Sequence, residues 1–340
     1  MTDNSYRPVA SIVGTGIYLP ELVLANDDFK QCIDTSDEWI YTRTGIKTRR
    51  VEQKLFTFEM IANACINALA DADVNASDVD MLIVSTISGD YAYPSAACLA
   101  AEKIGAYNAN AFDVSAACAG FIYSLELADL YIKSGKAKTV LCAAGDTLSR
   151  FTDYYDRANC ILFGDAAGAA VVSASADGHI VKSIYTACDC NEGKPLSIYA
   201  KQRDPHVFFD PLTKAFVGNS KFSDDCFIKM NGREVFAFAV KAMPKAMEEA
   251  AKSAGITVSD ADFIVAHQAN KRILDAVINK YNIDPAKLPM TISKYGNTSS
   301  SSVPIALDEI AHDGTLKRGD KVILTGFGAG LTYGAAVVDW

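Results

Sequence analysis

Cys118 is the residue whose surroundings in the sequence best suit nucleophilic chemistry. It lies in the segment 113–121, DVSAACAGF, in which an apolar strand ends at Val114, small residues form a turn, and helical periodicity begins at Phe121. A thiol at the N-terminus of a helix meets the positive end of the helix dipole, which favours the thiolate and lowers its pKa. The local pattern leaves a second interpretation open, in which Cys118 is one more buried structural cysteine.

His267 and Asn297 are the polar residues that complete a candidate site. His267 follows the apolar strand FIVA, residues 263–266, and Asn297 stands in the turn-like segment YGNTS, residues 295–299. Taken singly, each is also typical of a structural residue. Together with a cysteine they allow two chemistries. In one, the histidine is the base for the cysteine and the asparagine orients the histidine. In the other, the cysteine carries an acyl group while both partners donate hydrogen bonds to a second substrate's carbonyl oxygen.

Two glycine-containing segments allow backbone groups to approach a ligand. Residues 325–331, TGFGAGL, follow a predicted strand, and the N–H groups of such a loop can point at a developing oxyanion, although a plain flexible turn has the same composition. Residues 13–20, VGTGIYLP, contain G-x-G but lack the third glycine of a dinucleotide fingerprint, and Pro20 opposes a helix there. We therefore exclude a nicotinamide site.

An internal repeat predicts how these segments come together. Residues 68–86 and 250–268 each contain the end of a helix, a polar connection and Asp-x-Asp before an apolar strand, and the equivalent Asp80 and Asp262 are 182 residues apart. The strands at 138–142 and 320–324 keep this spacing, and Cys118 falls opposite Ser300. Between them each copy reads as strand, small-residue turn and helix, which makes 290–293 (MTIS) a predicted strand. A constant spacing across so many elements indicates two similarly folded halves.

The predicted architecture is α/β, with two sheets layered between helices as α/β/α/β/α. The strands are near-continuous apolar runs, as expected of strands buried on both faces. We predict a first half at residues 1–175, a connecting region at 176–224 and a second half at 225–340. From about residue 185 to 227 the chain has no counterpart in the first half, and we interpret this stretch as an insertion. Ligands are expected at the junction between the halves, where loops of both converge.

Composition excludes several classes of function. The 340 residues carry a net charge of −9, which argues against nucleic acid as the main partner. No apolar run reaches the ~20 residues needed to cross a bilayer, and residues 1–7 lack a signal-peptide pattern, so we expect a cytoplasmic protein without a membrane partner. The nine cysteines fit free thiols in a reducing compartment. Cys188 and Cys190 form a C-x-C without a second ligand pair, so no metal is expected.

Motifs spread over nearly the whole chain resemble the β-ketoacyl-[acyl carrier protein] synthase III family, the condensing enzymes that start fatty-acid chains in bacteria. They are GTGIYLP, DTSDEWIYTRTGI, PSAAC, FDVSAACAGF, ILFGDAAGAA, MNGREVF, HQAN, YGNTSSSSVP, ALDE and GFGAGLTYGAA. The resemblance implies a thiolase fold and a cytoplasmic homodimer. It implies acyl-CoA and malonyl-acyl carrier protein as substrates and no cofactor beyond the coenzyme A of the substrate.

The resemblance also assigns the chemistry. Cys118 would take the acyl group from acyl-CoA, and His267 and Asn297 would bind the malonyl thioester oxygen while carbon dioxide departs. The resulting carbanion attacks the acyl-enzyme and gives 3-oxoacyl-acyl carrier protein. The backbone N–H groups of Cys118 and Ala329 would form the oxyanion hole. Ala329 replaces a glycine often found there, which keeps the backbone donor.

Further residues receive binding roles from the resemblance. Coenzyme A would be bound by Trp39, Arg43, Arg157 and Asn270. The indole of Trp39 and the guanidinium of Arg43 have flat faces that can stack on adenine. Lys271 and Arg272 resemble the basic spot that meets the acidic carrier protein, although alone they would be a solvated helix face. The acyl pocket would involve Tyr93, Phe121 and Phe327, with Tyr93 where the family closes the partner subunit's pocket. The insertion adds aromatic residues that could cap this pocket: Tyr199, Phe208, Phe209, Phe216 and Phe222.

Two other functions remain as alternatives. The insertion favours a related condensing enzyme that uses a longer or unusual acyl primer for a specialised metabolite. A non-catalytic thiolase-fold subunit that binds without reacting is the second alternative. The retention of Cys118, His267 and Asn297 argues against it, because such subunits often lack the nucleophile.

Overall fold

The computed structural model describes residues 8–190, 196–197 and 227–340. Up to residue 190 these form strands β1 (Ser11–Tyr18), β2 (Leu22–Ala25), β3 (Thr48–Val51), β4 (Met81–Ser85), β5 (Asn110–Val114), β6 (Thr139–Asp146), β7 (Ala166–Ser173) and β8 (His179–Cys188), with helices α1 (Asp37–Thr44), α2 (Thr57–Asp71), α3 (Ala96–Ile104) and α4 (Gly120–Lys133). The rest of the described chain forms β9 (Leu196–Ser197), β10 (Lys229–Met230), β11 (Phe263–Ala266), β12 (Lys321–Gly328) and β13 (Thr332–Asp339), with α5 (Gly232–Ser253), α6 (Lys271–Tyr281), α7 (Ile292–Tyr295) and α8 (Ser302–His312).

The main sheet consists of two wings that meet at a narrow junction. The strand order is β5-β4-β6-β7-β1 in the first wing and β8-β13-β12-β11 in the second. The wings are joined through β1 and β8, which pair only at Ser11 with Ile180 and at Ile12 with His179. So short a ladder lets the two wings turn relative to each other and face a common helical layer.

The register of the strands confirms that the halves repeat. In the first half β4 runs parallel to β6 with Met81 opposite Val140, and in the second half β11 runs parallel to β12 with Phe263 opposite Val322. Both residues of the second pair lie 182 positions after those of the first. The next strand is antiparallel in each half, β7 after β6 and β13 after β12. The repeat therefore extends from the sequence into the hydrogen-bonded pairing.

The repeated aspartates hold the strands at the same place in each half. The Oδ2 atom of Asp80 accepts hydrogen bonds from the backbone N–H groups of Lys138 and Thr139, at the start of β6. The Oδ2 atom of Asp262 accepts one from Lys321, at the start of β12. Each carboxylate thus satisfies backbone donors that the ladder leaves open.

Packing produces the predicted α/β/α/β/α layering. Helices α4 and α8 form the central layer, because their apolar residues share one buried core with residues of β4 and β6 on one side and of β12 and β13 on the other. Helices α2 and α3 cover the outer face of the first wing. Helices α5 and α6 cover the outer face of the second wing. The loops next to the central helices therefore lie between the two halves.

The predicted strand at 290–293 is wrong. Residues 290 and 291 belong to no strand, and the short helix α7 begins at Ile292 and is capped by Gly296, which has a φ of 68°. The next residue pairs with the first half instead, since the N–H of Asn297 donates to the carbonyl of Leu162 at 2.9 Å and the N–H of Gly164 donates to the carbonyl of Asn297 at 3.0 Å. Contact between the halves overrides the local repeat here.

Two other expectations are not decided by the fold. Among the described residues, no helix combines the length and apolarity needed to cross a bilayer. Most of the predicted insertion, including its aromatic residues Tyr199, Phe208, Phe209, Phe216 and Phe222, lies outside the described part of the chain. The boundaries of the three predicted segments stay a prediction.

Candidate active site

Cys118 lies in a tight turn at the start of the central helix α4. Residues Ala117–Ala119 form a 3-10 turn that leads into α4, and Ala117 has a φ of 45°. The end of β12 lies directly against this turn, because a Cβ placed on Gly328 would be 2.5 Å from the backbone nitrogen of Cys118. Only glycine permits such an approach. The thiol is 7% exposed and donates to the hydroxyl of Ser299 at 3.6 Å.

The expected lowering of the Cys118 pKa is wrong. Burial raises the pKa of the thiol to about 12, and the hydrogen bond to Ser299 opposes this only in part. Burial disfavours the charged thiolate, and it is the largest influence on the pKa of this thiol. Cys118 therefore holds its proton at neutral pH and must lose it during the reaction with a substrate.

His267 is a neutral, oriented imidazole. It follows β11, where its backbone N–H donates to the carbonyl of Thr325 at 2.8 Å, and its ring packs edge-on against Phe327 with 5.3 Å between ring centroids. Burial lowers its pKa to about 3. Its Nδ1 atom is 2.7 Å from the hydroxyl oxygen of Ser302. This contact leaves the Nε2 atom for a ligand.

The position of the proton on His267 depends on the acceptor to which the Ser302 hydroxyl donates. Its hydroxyl has one hydrogen and two acceptors within reach, Nδ1 of His267 at 2.7 Å and the carbonyl of Ser299 at 2.9 Å. It also accepts the N–H of Gln268 at 3.2 Å. When the hydroxyl donates to Nδ1, the proton of the neutral ring stands on Nε2, which is then a hydrogen-bond donor.

Asn297 is fixed through its amide oxygen. The side chain is 8% exposed, and its Oδ1 atom accepts the backbone N–H of Ser299 at 2.9 Å. Because the oxygen is held by the turn, the Nδ2 group is the part of the amide available as a donor to a ligand. Backbone contacts to Leu162 and Gly164 tie the same residue to the first half.

One cavity of about 1010 Å³ brings the predicted catalytic residues together. Its lining includes Cys118, His267, Asn297, Asn270, Arg272, Phe327 and Ala329. These come from both halves of the repeat, as the sequence predicted. The mouth also includes Arg233, in the first turn of α5, a residue that stands in one of the matching motifs but for which no role was predicted. Among the described residues, no group of three His, Cys, Asp or Glu side chains is arranged to hold a metal ion.

The glycine-rich loop is tied to the turn that carries Cys118. The hydroxyl of Thr332 donates to the carbonyl of Ala116 at 2.7 Å and lies 3.1 Å from the carbonyl of Ala329. Gly330, with a φ of 130°, supplies a backbone conformation that other residues rarely adopt. The predicted oxyanion loop and the nucleophile turn therefore form one connected unit.

The predicted acyl-pocket residues fall in three different environments. Phe327 is buried and lines the cavity. Phe121 does not line it, because the first turn of α4 directs this ring into the central core, where it is fully buried. Tyr93 is 86% exposed on the surface of the chain, while its neighbours Tyr91 and Ala92 reach the cavity. A role for Tyr93 across a dimer interface stays a prediction.

The predicted coenzyme A residues cluster beside the cavity mouth. The guanidinium carbons of Arg43 and Arg157 lie 4.3 Å and 3.9 Å from the centroid of a ring of Trp39. Asn270 caps α6 by accepting the N–H of Arg272 and donates to the carbonyl of Arg43 at 3.2 Å. The two guanidinium groups and the indole ring therefore form one stacked group, which Asn270 connects to the cavity lining.

The two predicted docking residues differ from each other. Lys271 forms an ion pair with Asp275 at 2.6 Å and packs against Gly45. Arg272 is exposed, lines the cavity and donates a 3.4 Å hydrogen bond to the carbonyl of Thr42. The basic character of the mouth therefore comes from Arg272 and Arg233 more than from Lys271.

Sequence reasoning missed a buried polar group behind the nucleophile. Asp146, at the end of β6, is fully buried, and its Oδ1 atom accepts hydrogen bonds from the side chains of Thr86 and Ser88 and from the backbone N–H groups of Ile87 and Ser88. Burial raises the pKa of this carboxyl. The signal in the sequence was its place at the end of an apolar strand, opposite Gly328 in the repeat.

Comparison with known proteins places the chain in a family. A family model described as 3-oxoacyl-[acyl-carrier-protein (ACP)] synthase III matches residues 112–189, and one described as the C terminal of the same synthase matches residues 251–340. A β-ketoacyl-[acyl-carrier-protein] synthase III from Clostridium tetani is 42% identical over 329 residues, which cover 97% of this chain and 98% of that protein. The chain belongs to the β-ketoacyl-[acyl carrier protein] synthase III family.

Solved structures agree with this assignment. The 3-oxoacyl-[acyl-carrier-protein] synthase III of Aquifex aeolicus has a TM-score of 0.88 and 39% identity, over 97% of this chain and all of that one. The priming β-ketosynthase of the R1128 polyketide biosynthetic pathway has a TM-score of 0.87 and 33% identity, over 98% of this chain and 96% of that one. This member of the family has the thiolase fold of a condensing acyltransferase.

Proposed function

We propose that this protein joins an acyl group from acyl-CoA to malonyl-acyl carrier protein with loss of carbon dioxide, and so initiates fatty-acid synthesis. The observation that carries the proposal is the shared cavity, which is lined by Cys118 from the first half and by His267 and Asn297 from the second. The names of the relatives support a carrier-protein substrate. No step of this chemistry requires a resident cofactor.

In the first half-reaction the sulfur of Cys118 attacks the thioester carbonyl of acyl-CoA. The C–S bond to coenzyme A breaks, and the thiol proton leaves with coenzyme A as its free thiol. A buried thiol with a raised pKa suits a transfer in which the proton moves as the new bond forms. The backbone N–H groups of Cys118 and Ala329 are proposed to stabilise the oxyanion, as donors fixed beside the reacting carbon.

In the second half-reaction the malonyl group loses its carboxylate as carbon dioxide. The electron pair of the broken C–C bond passes to an enolate, whose oxygen accepts hydrogen bonds from Nε2 of His267 and Nδ2 of Asn297. The enolate carbon attacks the acyl-enzyme, the C–S bond to Cys118 breaks, and the thiolate takes one proton from water. A cationic histidine would stabilise the malonyl carboxylate and so oppose its loss as carbon dioxide. His267 is neutral because its pKa is lowered, so it can donate a hydrogen bond without opposing decarboxylation.

Separate assays of the half-reactions test the proposal. Wild-type protein incubated with an acyl-CoA should gain the mass of the acyl group on Cys118, and the Cys118→Ala variant should gain none. His267→Ala and Asn297→Ala should still be acylated but lose condensation by about 10²–10³-fold each, the usual effect of removing one oxyanion donor. Full condensation by Cys118→Ala would overturn the proposal.

A second candidate function is condensation with a longer or unusual primer. It is favoured by the size of the cavity, about 1010 Å³, and by the likeness to the priming β-ketosynthase of a polyketide pathway. Initial rates of Cys118 acylation by a series of acyl-CoA donors of increasing length separate the two. Exclusive use of acetyl-CoA would exclude the second candidate.

We also propose that the protein works as a homodimer in the cytoplasm, with Tyr93 at the subunit interface. The rings of Phe56, Tyr91 and Tyr93 are exposed. The ring of Phe56 contacts that of Tyr91, and Tyr93 is two residues further along the chain. Together they form apolar surface that a partner copy would cover. Light scattering gives the mass in solution. A monomer mass at micromolar concentration would contradict the proposal.

A further inference from the structure

Cys188 and Cys190 form a pair of thiols that the proposed mechanism does not use. Cys188 is the last residue of β8, and the two sulfur atoms are 3.6 Å apart. Side chains at positions i and i+2 of an extended chain point to the same face, which explains the contact. Both cysteines are exposed. Cys98, also exposed, instead has its sulfur 3.5 Å from the carbonyl of Ala111.

The dithiol lies against the glycine-rich loop. Asp189, between the two cysteines, exchanges two backbone hydrogen bonds with Leu331: its N–H donates to the carbonyl of Leu331 at 2.9 Å, and the N–H of Leu331 donates back at 3.0 Å. A Cβ placed on Gly330 would be 4.0 Å from the sulfur of Cys188. A change in the backbone at 188–190 is therefore passed directly to the loop that contains Ala329.

We propose that Cys188 and Cys190 are a modification site that closes to an intramolecular disulfide by exchange with a low-molecular-weight disulfide such as glutathione disulfide. One cysteine thiolate attacks the glutathione disulfide, breaks its S–S bond and releases one glutathione. The second cysteine then attacks the protein sulfur of the mixed disulfide and releases the other glutathione. The two thiol protons are balanced by the two glutathione thiols formed, and the protein loses two hydrogen atoms.

Backbone geometry permits this bond and makes it reversible. Two residues of an extended strand separate Cα atoms by about 6.6 Å. A disulfide accommodates Cα separations of roughly 4.4–6.8 Å and most often has one of about 5.5–6 Å, so closure to the usual separation contracts the chain slightly. A disulfide formed near the upper limit of this range is easily reduced. The contraction acts on Asp189 and thus on its two hydrogen bonds to Leu331.

An effect on activity rests on the proposed function. Because Ala329 is the proposed oxyanion donor, a shift of its loop should slow Cys118 acylation several-fold, and dithiothreitol should restore the rate. The formation of the disulfide itself does not depend on that function. It is measured by mass alone, so the two proposals fail separately.

The experiment uses the intact protein incubated with glutathione disulfide, followed by blocking of free thiols and digestion with trypsin. Cleavage after Lys182 and Lys201 gives peptide 183–201, which contains Cys188 and Cys190 and no other cysteine. The expected result is loss of two hydrogen atoms from this peptide, reversed by dithiothreitol. The same loss is expected in Cys98→Ser, whereas Cys190→Ser should keep a stable glutathione adduct on Cys188.

Two results would overturn the proposal. One is a wild-type peptide that carries only a lasting glutathione adduct, which would mean that the second cysteine does not reach the first. The other is an unmodified peptide 183–201 in a sample whose Cys98 has reacted, which would mean that the pair is not accessible to the oxidant. If the disulfide forms but wild-type Cys118 is never acylated, the dithiol site stands and the proposed function fails.

Discussion

Ala117 and Ser299 are 182 residues apart, hold equivalent places in the two halves, and both have a positive φ, 45° and 58°. Non-glycine residues rarely adopt this conformation, and a strained backbone tends to be kept where function requires it. In the first half the turn presents Cys118, and in the second half it presents Ser299, whose hydroxyl meets the Cys118 thiol at 3.6 Å. The repeat therefore supplies both members of this contact.

Strain at Ala117 predicts an unusual response to glycine. Ala117→Gly and Ala119→Gly should both lower the free energy of unfolding, and the loss should be smaller for Ala117→Gly by about 0.5–1 kcal/mol. The reason is that glycine relieves the positive φ at residue 117, whereas at residue 119 it only adds flexibility to the unfolded chain. Both alanines are buried in the same turn, and each variant loses one methyl group. Urea unfolding of the two variants checks the difference. Equal losses of stability would show that Ala117 is not strained.

Ser302→Ala should slow condensation and leave acylation of Cys118 unchanged. Without the hydroxyl, Nδ1 of His267 loses its contact at 2.7 Å, so the ring is held less firmly and the proposed donation from Nε2 to the enolate weakens. Loss of one such hydrogen bond, about 1 kcal/mol, corresponds to roughly a five- to tenfold lower condensation rate. Single-turnover assays of each half-reaction measure the two effects.

The matched control for this prediction is Ser301→Ala, because Ser301 is equally buried but its hydroxyl donates to the carbonyl of Thr298. It should leave the condensation rate near that of the wild type. Equal slowing by the two variants would show that Ser302 supports the turn and has no specific effect on His267.

The pH dependence of Cys118 alkylation decides between burial and the helix dipole. Only the thiolate reacts, and burial raises the pKa of Cys118 to about 12, so the rate with iodoacetamide should rise about tenfold for each pH unit up to about pH 10 without a plateau. Mass spectrometry of the Cys118 peptide follows the reaction. A plateau near neutral pH would show that the helix terminus dominates, as the sequence alone suggested.

Ser299 should make this alkylation faster at any given pH. Its hydrogen bond lowers the pKa of Cys118, so Ser299→Ala should raise that pKa further and slow the reaction. Ser301→Ala again serves as the control, since its hydroxyl does not contact the thiol. Faster alkylation in Ser299→Ala would show that the hydroxyl mainly shields the sulfur.

Arg272 should matter more than Lys271 for the acidic carrier protein. Arg272→Glu should raise the KM for malonyl-acyl carrier protein several-fold, and added salt should reduce the difference from wild type. Lys271→Glu should have a smaller effect, because Asp275 already neutralises Lys271. Steady-state assays at low and high salt measure both. Identical KM values for both variants and wild type would exclude docking at this end of α6.

The sequence by itself determined the repeat, the layers and the candidate residues. The spacing of 182 residues identified β4 and β11 as equivalent strands of the two halves, and small residues around Cys118 marked the turn. These features are local or periodic, so they can be predicted from residue types. The resemblance to a known family then assigned roles that the residues alone left open.

Only the tertiary structure decided the features that depend on contact between the halves. Pairing of Asn297 with Leu162 and Gly164 replaced a predicted strand with α7. Burial of Cys118 reversed the expected direction of its pKa, and Ser302 came to hold His267. These features depend on the burial of each group and on contacts with residues distant in the chain. Local spacing in the sequence encodes neither the burial nor the contacts.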